Sequence, residues 1–197
     1  MKQLKVRPLA LAFVAMTMTS GAMAGEWEQD DALALIELID TLNQEALSLP
    51  QAVEFALKQQ PGLVQEARVE WNDERIHFEI EITSGRDVYQ LEIDPSESKV
   101  LNKGLNLGET VVNHMASSGD FIFGGNALSA ERQGEITAML KTGLTQIEGK
   151  PIALSLEEER GRIFYEVLTL AKGRLSTAVI SGQTGKIIFY RHYSNDD

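Results

Sequence analysis

Moved along by 87 residues, the chain registers on itself without a gap. Leu57 then lies on Leu144, Gln59 on Gln146 and Gly62 on Gly149. Further on, Glu70 meets Glu157, Arg75 meets Arg162, Ile76 meets Ile163, Glu79 meets Glu166 and Lys99 meets Lys186. The identities are few, and their weight comes from the local patterns that recur with them. A period of this kind constrains a fold strongly, because each copy must be a structural unit of the same type.

In the first copy Ser48 suits an N-cap and Pro50 the first helical turn, where its missing N–H costs nothing. Ala52, Val53, Ala56 and Leu57 recur at helical spacing until Pro61-Gly62 ends the helix. Val69 and Trp71 lead to a polar turn at Asn72-Asp73-Glu74. Ile76, Phe78, Ile80 and Ile82 then alternate with Arg75, His77, Glu79 and Glu81, the period of a half-buried strand. After Ser84-Gly85, Tyr89, Leu91 and Ile93 share one face of a further strand, and Val100-Leu101 opens a last short one. In the second copy Ser129 caps a helix carrying Ile136, Met139, Leu140 and Leu144, which ends near Gly149. Strands are predicted at 152–156, 163–170, 175–180 and 187–193.

The expected fold is therefore α+β: two repeats, each a helix packed on a small antiparallel β-sheet, preceded by an amphipathic helix. That first helix shows Leu35, Ile36, Ile39 and Leu42 on one side. The chain divides into a signal peptide (1–24), an N-terminal helix (25–47), a first repeat (48–103), a linker (104–127), a second repeat (128–193) and a tail (194–197). The linker holds polar turns around Phe121-Ile122-Phe123, and a connection of that length is often functional.

The opening residues set the address. Lys2, Lys5 and Arg7 precede an apolar run from Leu9 to Met18, and Ala22-Met23-Ala24 supplies the small residues a signal peptidase reads. Cleavage is expected between Ala24 and Gly25. The run is shorter than the roughly 20 residues of a membrane span. The mature chain is expected to be periplasmic or secreted, without stable membrane insertion. Loss of three basic residues leaves 15 basic against 29 acidic ones, a net charge of −14. Such a polyanion repels phosphate backbones, which speaks against nucleic acid as a partner. The chain has no cysteine, which excludes disulfides, thiolate metal sites and cysteine nucleophiles.

The run Ser48-Leu49-Pro50-Gln51-Ala52-Val53, continued to Gln60-Pro61-Gly62, resembles the opening of the PepSY family. Tyr89, Ile93, Asp94 and Lys99-Val100-Leu101 resemble that family's closing segment, with Ser98 where a turn glycine is usual. The second copy keeps the close at Thr184-Gly185-Lys186-Ile187. It carries Glu148 for the helix-ending proline, Ser176 for the tyrosine and Ser181 for the aspartate. PepSY domains occur in propeptides of thermolysin-like metallopeptidases and in exported bacterial proteins. The resemblance implies a protein that restrains peptidases or binds peptides outside the cytoplasm.

No catalytic set emerges from the residues. His77, His114 and His192 lie in separate regions with no His-Glu-x-x-His. Ser117-Ser118-Gly119-Asp120 after His114 reads as a turn, since a triad is defined by geometry and not by nearness in sequence. Gly143 to Lys150 is one residue too long for a phosphate loop, and Pro151 stands where Ser or Thr is required. Asp94 to Ser98 lacks the glycine and glutamate of a calcium loop. Neither a cofactor nor a metal is expected. Candidates for contact with a partner are the aromatic residues Trp71 and Tyr89 and the acidic run Glu157, Glu158 and Glu159. The expected function is an exported, non-enzymatic protein that binds a protein or peptide, with an exported peptidase foremost. The alternative is an extracytoplasmic sensor or structural module for a small ligand or divalent cation.

Overall fold

The computed structural model of the chain describes residues 40–72, 75–108, 110, 128–171 and 174–192, except for the side chains of residues 71 and 72. The expected signal peptide with its Ala24/Gly25 junction, most of the N-terminal helix and linker, and the tail lie outside the described residues. Among the described residues, no helix is long and apolar enough to cross a membrane.

Helix α1 spans Leu49–Gln59 and helix α2 spans Ala130–Leu144. At the start of α1 the Gln51 side-chain oxygen accepts from the Ser48 amide at 2.8 Å, one arm of a capping box. At the start of α2 the Ser129 hydroxyl accepts from the Arg132 amide at 3.2 Å. Residues 40–44 are helical, and the segment is tied down where the Leu47 amide donates to the Pro95 carbonyl at 3.0 Å.

The strands are β1 (Leu63–Asn72), β2 (Arg75–Ser84), β3 (Asp87–Asp94), β4 (Lys99–Leu105), β5 (Lys150–Glu159), β6 (Arg162–Ala171), β7 (Arg174–Ser181) and β8 (Ile187–His192). β5, β6 and β7 begin at 150, 162 and 174, each 87 residues beyond the starts of β1, β2 and β3, while β8 begins at 187, 88 residues beyond β4.

The expected α+β pair of helix-on-sheet units is nevertheless incorrect. All eight strands form one antiparallel sheet in the order β4-β3-β2-β1-β5-β6-β7-β8, and the fold is mainly β. The join is made by β1 and β5, with Glu66 opposite Ser155, Ala67 opposite Leu154 and Arg68 opposite Ala153. The physical reason is the cost of edges. In two separate sheets β1 and β5 would each leave a row of backbone donors and acceptors unpaired beside a hydrophobic core. Pairing them over residues 66–68 and 153–155 satisfies the middle of both rows and joins the two edges.

One core then runs under both halves. On one face Ala67 stands between Ile80 and Leu154, and Val167 and Ala178 continue the same register row. All five are buried, at 2% exposure or less. Against this face α1 sets Leu49, Ala52, Val53 and Ala56, and α2 sets Ile136, Leu140 and Leu144, in a single cluster. Each large apolar side chain so buried contributes about 1.5–3 kcal/mol, so the shared core favours one body over two. Helices α1 and α2 therefore pack on one face of the sheet.

Candidate functional site

Directly opposed residues of an antiparallel pair point to the same side of the sheet, so the pairing register maps the face on which neither α1 nor α2 packs. On this uncovered face Val88, Ala153 and Thr177 are nevertheless buried. One row starts at Gln90 on β3 and passes through Glu81 on β2 and Glu66 on β1. It continues through Ser155 and Glu166 to Val179 and Phe189 on β7 and β8. The neighbouring row passes from Glu92 and Glu79 through Arg68 to Ala153, Leu168 and Thr177. The face thus changes character across its width. Carboxylates dominate β3, β2 and β1, whereas β6, β7 and β8 set apolar Phe164, Leu168, Val179 and Phe189 among Glu166, Thr177 and Arg191.

Arg68 organises the acidic side. Its guanidinium is hydrogen-bonded to Glu66 and Glu70 on its own strand and to Glu79 on β2. Its side chain is 19% exposed and that of Glu79 is 12% exposed, so these charges are partly withdrawn from water. Burial alone would lower the guanidinium pKa, but the hydrogen bonds and charges of Glu66, Glu70 and Glu79 outweigh it and raise the value. Three carboxylates around one cation leave this centre with a net negative charge.

At the boundary between the two sides stand Glu157 and Glu166. Glu166 sits opposite Ser155, two residues from Glu157 along β5, so the two carboxylates are diagonal neighbours. Burial, and then the Glu157 charge, raise the pKa of Glu166. The Ser155 hydroxyl donates to Glu157 at 3.1 Å. Among the described residues, neither glutamate forms a salt bridge.

The residues singled out in the sequence are scattered by this geometry. Glu157, opposite Phe164, reaches the uncovered face. Glu158 accepts from the Gly161 amide at 2.8 Å and closes the β5–β6 hairpin. Glu159 lies at the hairpin end opposite Arg162. Tyr89 pairs with Ile82 and belongs to the helix-covered side, where the Lys103 ammonium stands 5.7 Å from its ring centre. The Trp71 backbone pairs with Ile76, and its side chain lies outside the described residues, as do Asp73, Glu74 and His114. Arg68 was not anticipated, although Glu66-x-Arg68-x-Glu70 places three charges on one face of a strand and could have marked it.

One arrangement resembles catalytic chemistry. The Ser176 hydroxyl lies 2.9 Å from Nδ1 of His192. Ser176 is only 1% exposed, so it offers no approach for a substrate, and the His192 ring packs edge-on to Tyr190 at 4.8 Å. The pair fastens β8 to β7. Among the described residues, no group of three His, Asp or Glu side chains is placed to hold a metal ion. The Asp94 carboxylate accepts from the Ser96 hydroxyl and from the amides of Ser96 and Glu97, so it is engaged by its own turn.

Both edges of the sheet are irregular. A bulge leaves Leu101 unpaired on β4 and another leaves Ile188 unpaired on β8. Lys99, Lys103 and Arg191 charge these strands. Bulges and basic side chains are the usual means of discouraging edge-to-edge pairing.

No protein-family model matches the chain, and no curated protein matches it. Among solved structures, the chain is similar to a candidate lipoprotein from Clostridium difficile 630. The two share 11% identity over 76% of this chain and 95% of that one, with a TM-score of 0.37.

Proposed function

We propose that the mature chain is an exported, non-enzymatic binding protein that holds a protein or peptide against the uncovered face of its sheet. The observation that carries this reading is the face itself: a two-row surface of carboxylates and apolar side chains that neither helix covers. The secretory pattern of residues 1–24 supports the extracytoplasmic address. The PepSY-like opening from Ser48 to Gly62 supports a narrower version, in which the partner is an exported peptidase or a peptide it handles.

The test is a binding and inhibition assay with the purified mature chain and the peptidases of its own exported fraction. Saturable binding to one of them, or inhibition of it, is expected. Neither binding nor inhibition for any of them would remove the reading.

A further inference from the structure

Resting on the binding role just proposed, we infer that the uncovered face takes a cationic amphipathic segment of its partner, with basic side chains over β2, β1 and β5 and apolar ones over β6, β7 and β8. The register fixes this division. Across one row Glu81 and Glu66 give way to Glu166, then to Val179 and Phe189. Across the next row Glu79 and Arg68 give way to buried Ala153 and half-buried Leu168, and the row ends on Thr177 and Arg191. Phe189 is 55% exposed, and Phe164 lies half-buried beside Glu157. An apolar strip of this kind, rimmed by charge, is the signature of an interaction surface.

Charge decides between occupants. The Arg68 centre already binds its one guanidinium and keeps a net negative charge. Glu157 and Glu166 sit next to each other on half-buried ground and form no salt bridge among the described residues, although Arg162 is the other diagonal neighbour of Glu157. A lysine or arginine arriving there meets attraction in a partly desolvated site, where it is stronger than in water. A second copy of this chain carries the same excess of carboxylates on this face and adds no net positive charge to it. A purely apolar segment would bury Glu166 without a partner, which is costly.

The experiment uses the isotope-labelled mature chain and three synthetic peptides of about 14 residues, Lys/Leu, Ser/Leu and Glu/Leu, of identical amphipathic pattern. Titrations are run at about 150 mM salt to suppress long-range attraction. The Lys/Leu peptide is expected to shift resonances of Glu66, Glu166, Val179 and Phe189 and to bind at least about tenfold more tightly than the other two. The double variant Glu157→Gln/Glu166→Gln and the single variant Phe189→Ser should each weaken it by at least about fivefold. Removing two charges elsewhere, with Glu131→Gln/Glu135→Gln on the exposed side of α2, should leave affinity unchanged. Equal binding of the Ser/Leu peptide at the same face overturns the cationic preference and leaves the binding role standing. Equal losses from the α2 variant, or shifts confined to the helix side, overturn both.

Discussion

The Tyr165 hydroxyl donates to the Val64 carbonyl at 2.7 Å, from β6 to β1 across the intervening strand β5. Tyr165 is fully buried, and burial pushes its phenol pKa up, so the group remains a neutral donor. The contact links the two halves of the sheet beneath the helices. Tyr165→Phe keeps the ring and removes the donor. The expected loss is about 0.5–1.5 kcal/mol, read as a lower urea midpoint with an unchanged slope. A second, separate unfolding transition in the variant would show that the halves are less coupled than a shared core requires.

Close approach of α2 to β7 supplies a packing test. A Cβ added at Gly143 would fall 2.3 Å from Cγ2 of Ile180. Alanine gains about 1 kcal/mol in helix propensity over glycine, while overpacking a filled core costs about 1–3 kcal/mol. The clash is expected to win, and Gly143→Ala should destabilise the protein in thermal melts. In an Ile180→Ala background the same change should become neutral or stabilising, a coupling that a double-mutant cycle measures directly.

Glu166 gives a prediction in which stability and function move in opposite directions. Its pKa in the folded state is raised above the ordinary value of 4.5 by burial and by Glu157. The folded state therefore favours the protonated form. Its stabilising effect is present below the unfolded value and lost as pH rises through the folded one. Glu166→Gln should melt higher than the wild type at about pH 7, with the difference closing at about pH 4 and below. A residue whose removal stabilises the fold while weakening binding is one retained for the partner.

Arg68 is the converse case. Replacing it with methionine keeps much of the side-chain volume and strips Glu66, Glu70 and Glu79 of their shared cation. Partly buried carboxylates left unpaired repel one another, and a loss of about 1–3 kcal/mol is expected in denaturant titrations. Adding Glu79→Gln should recover part of it, because one of the three like charges is then gone.

At the β3–β4 turn Ser98 adopts a left-handed conformation, with φ of +53°. This is the position at which the family resemblance leads one to expect glycine. A serine there carries a Cβ that crowds the backbone, and Ser98→Gly should stabilise by up to about 1 kcal/mol in thermal melts.

Local patterns were the legible part of this fold. The alternation from Ile76 to Ile82 marks β2, and the Ser48 and Ser129 caps mark the starts of both helices. The merging of the sheets was not legible, because Glu66 and Ser155 lie 89 positions apart and no local period encodes their pairing. The same limit applies to the site. Alternation places Tyr89 with Leu91 and Ile93, but only the helices decide that this side is the covered one. Glu66, Arg68 and Glu70 share a face by simple spacing, whereas Glu79 joins them only through the β1–β2 register. Glu157, Glu158 and Glu159 read as one acidic run and are parted by the pleat and the hairpin turn.

The most direct measurement is the affinity of the mature chain for an exported peptidase, compared between the wild type and a variant altered only on the uncovered face, Glu157→Gln/Glu166→Gln/Phe189→Ser. Binding through this face predicts tight association for the wild type and a loss of at least about tenfold for a variant that remains folded. Equal affinities of the two proteins would place the contact elsewhere and contradict the account.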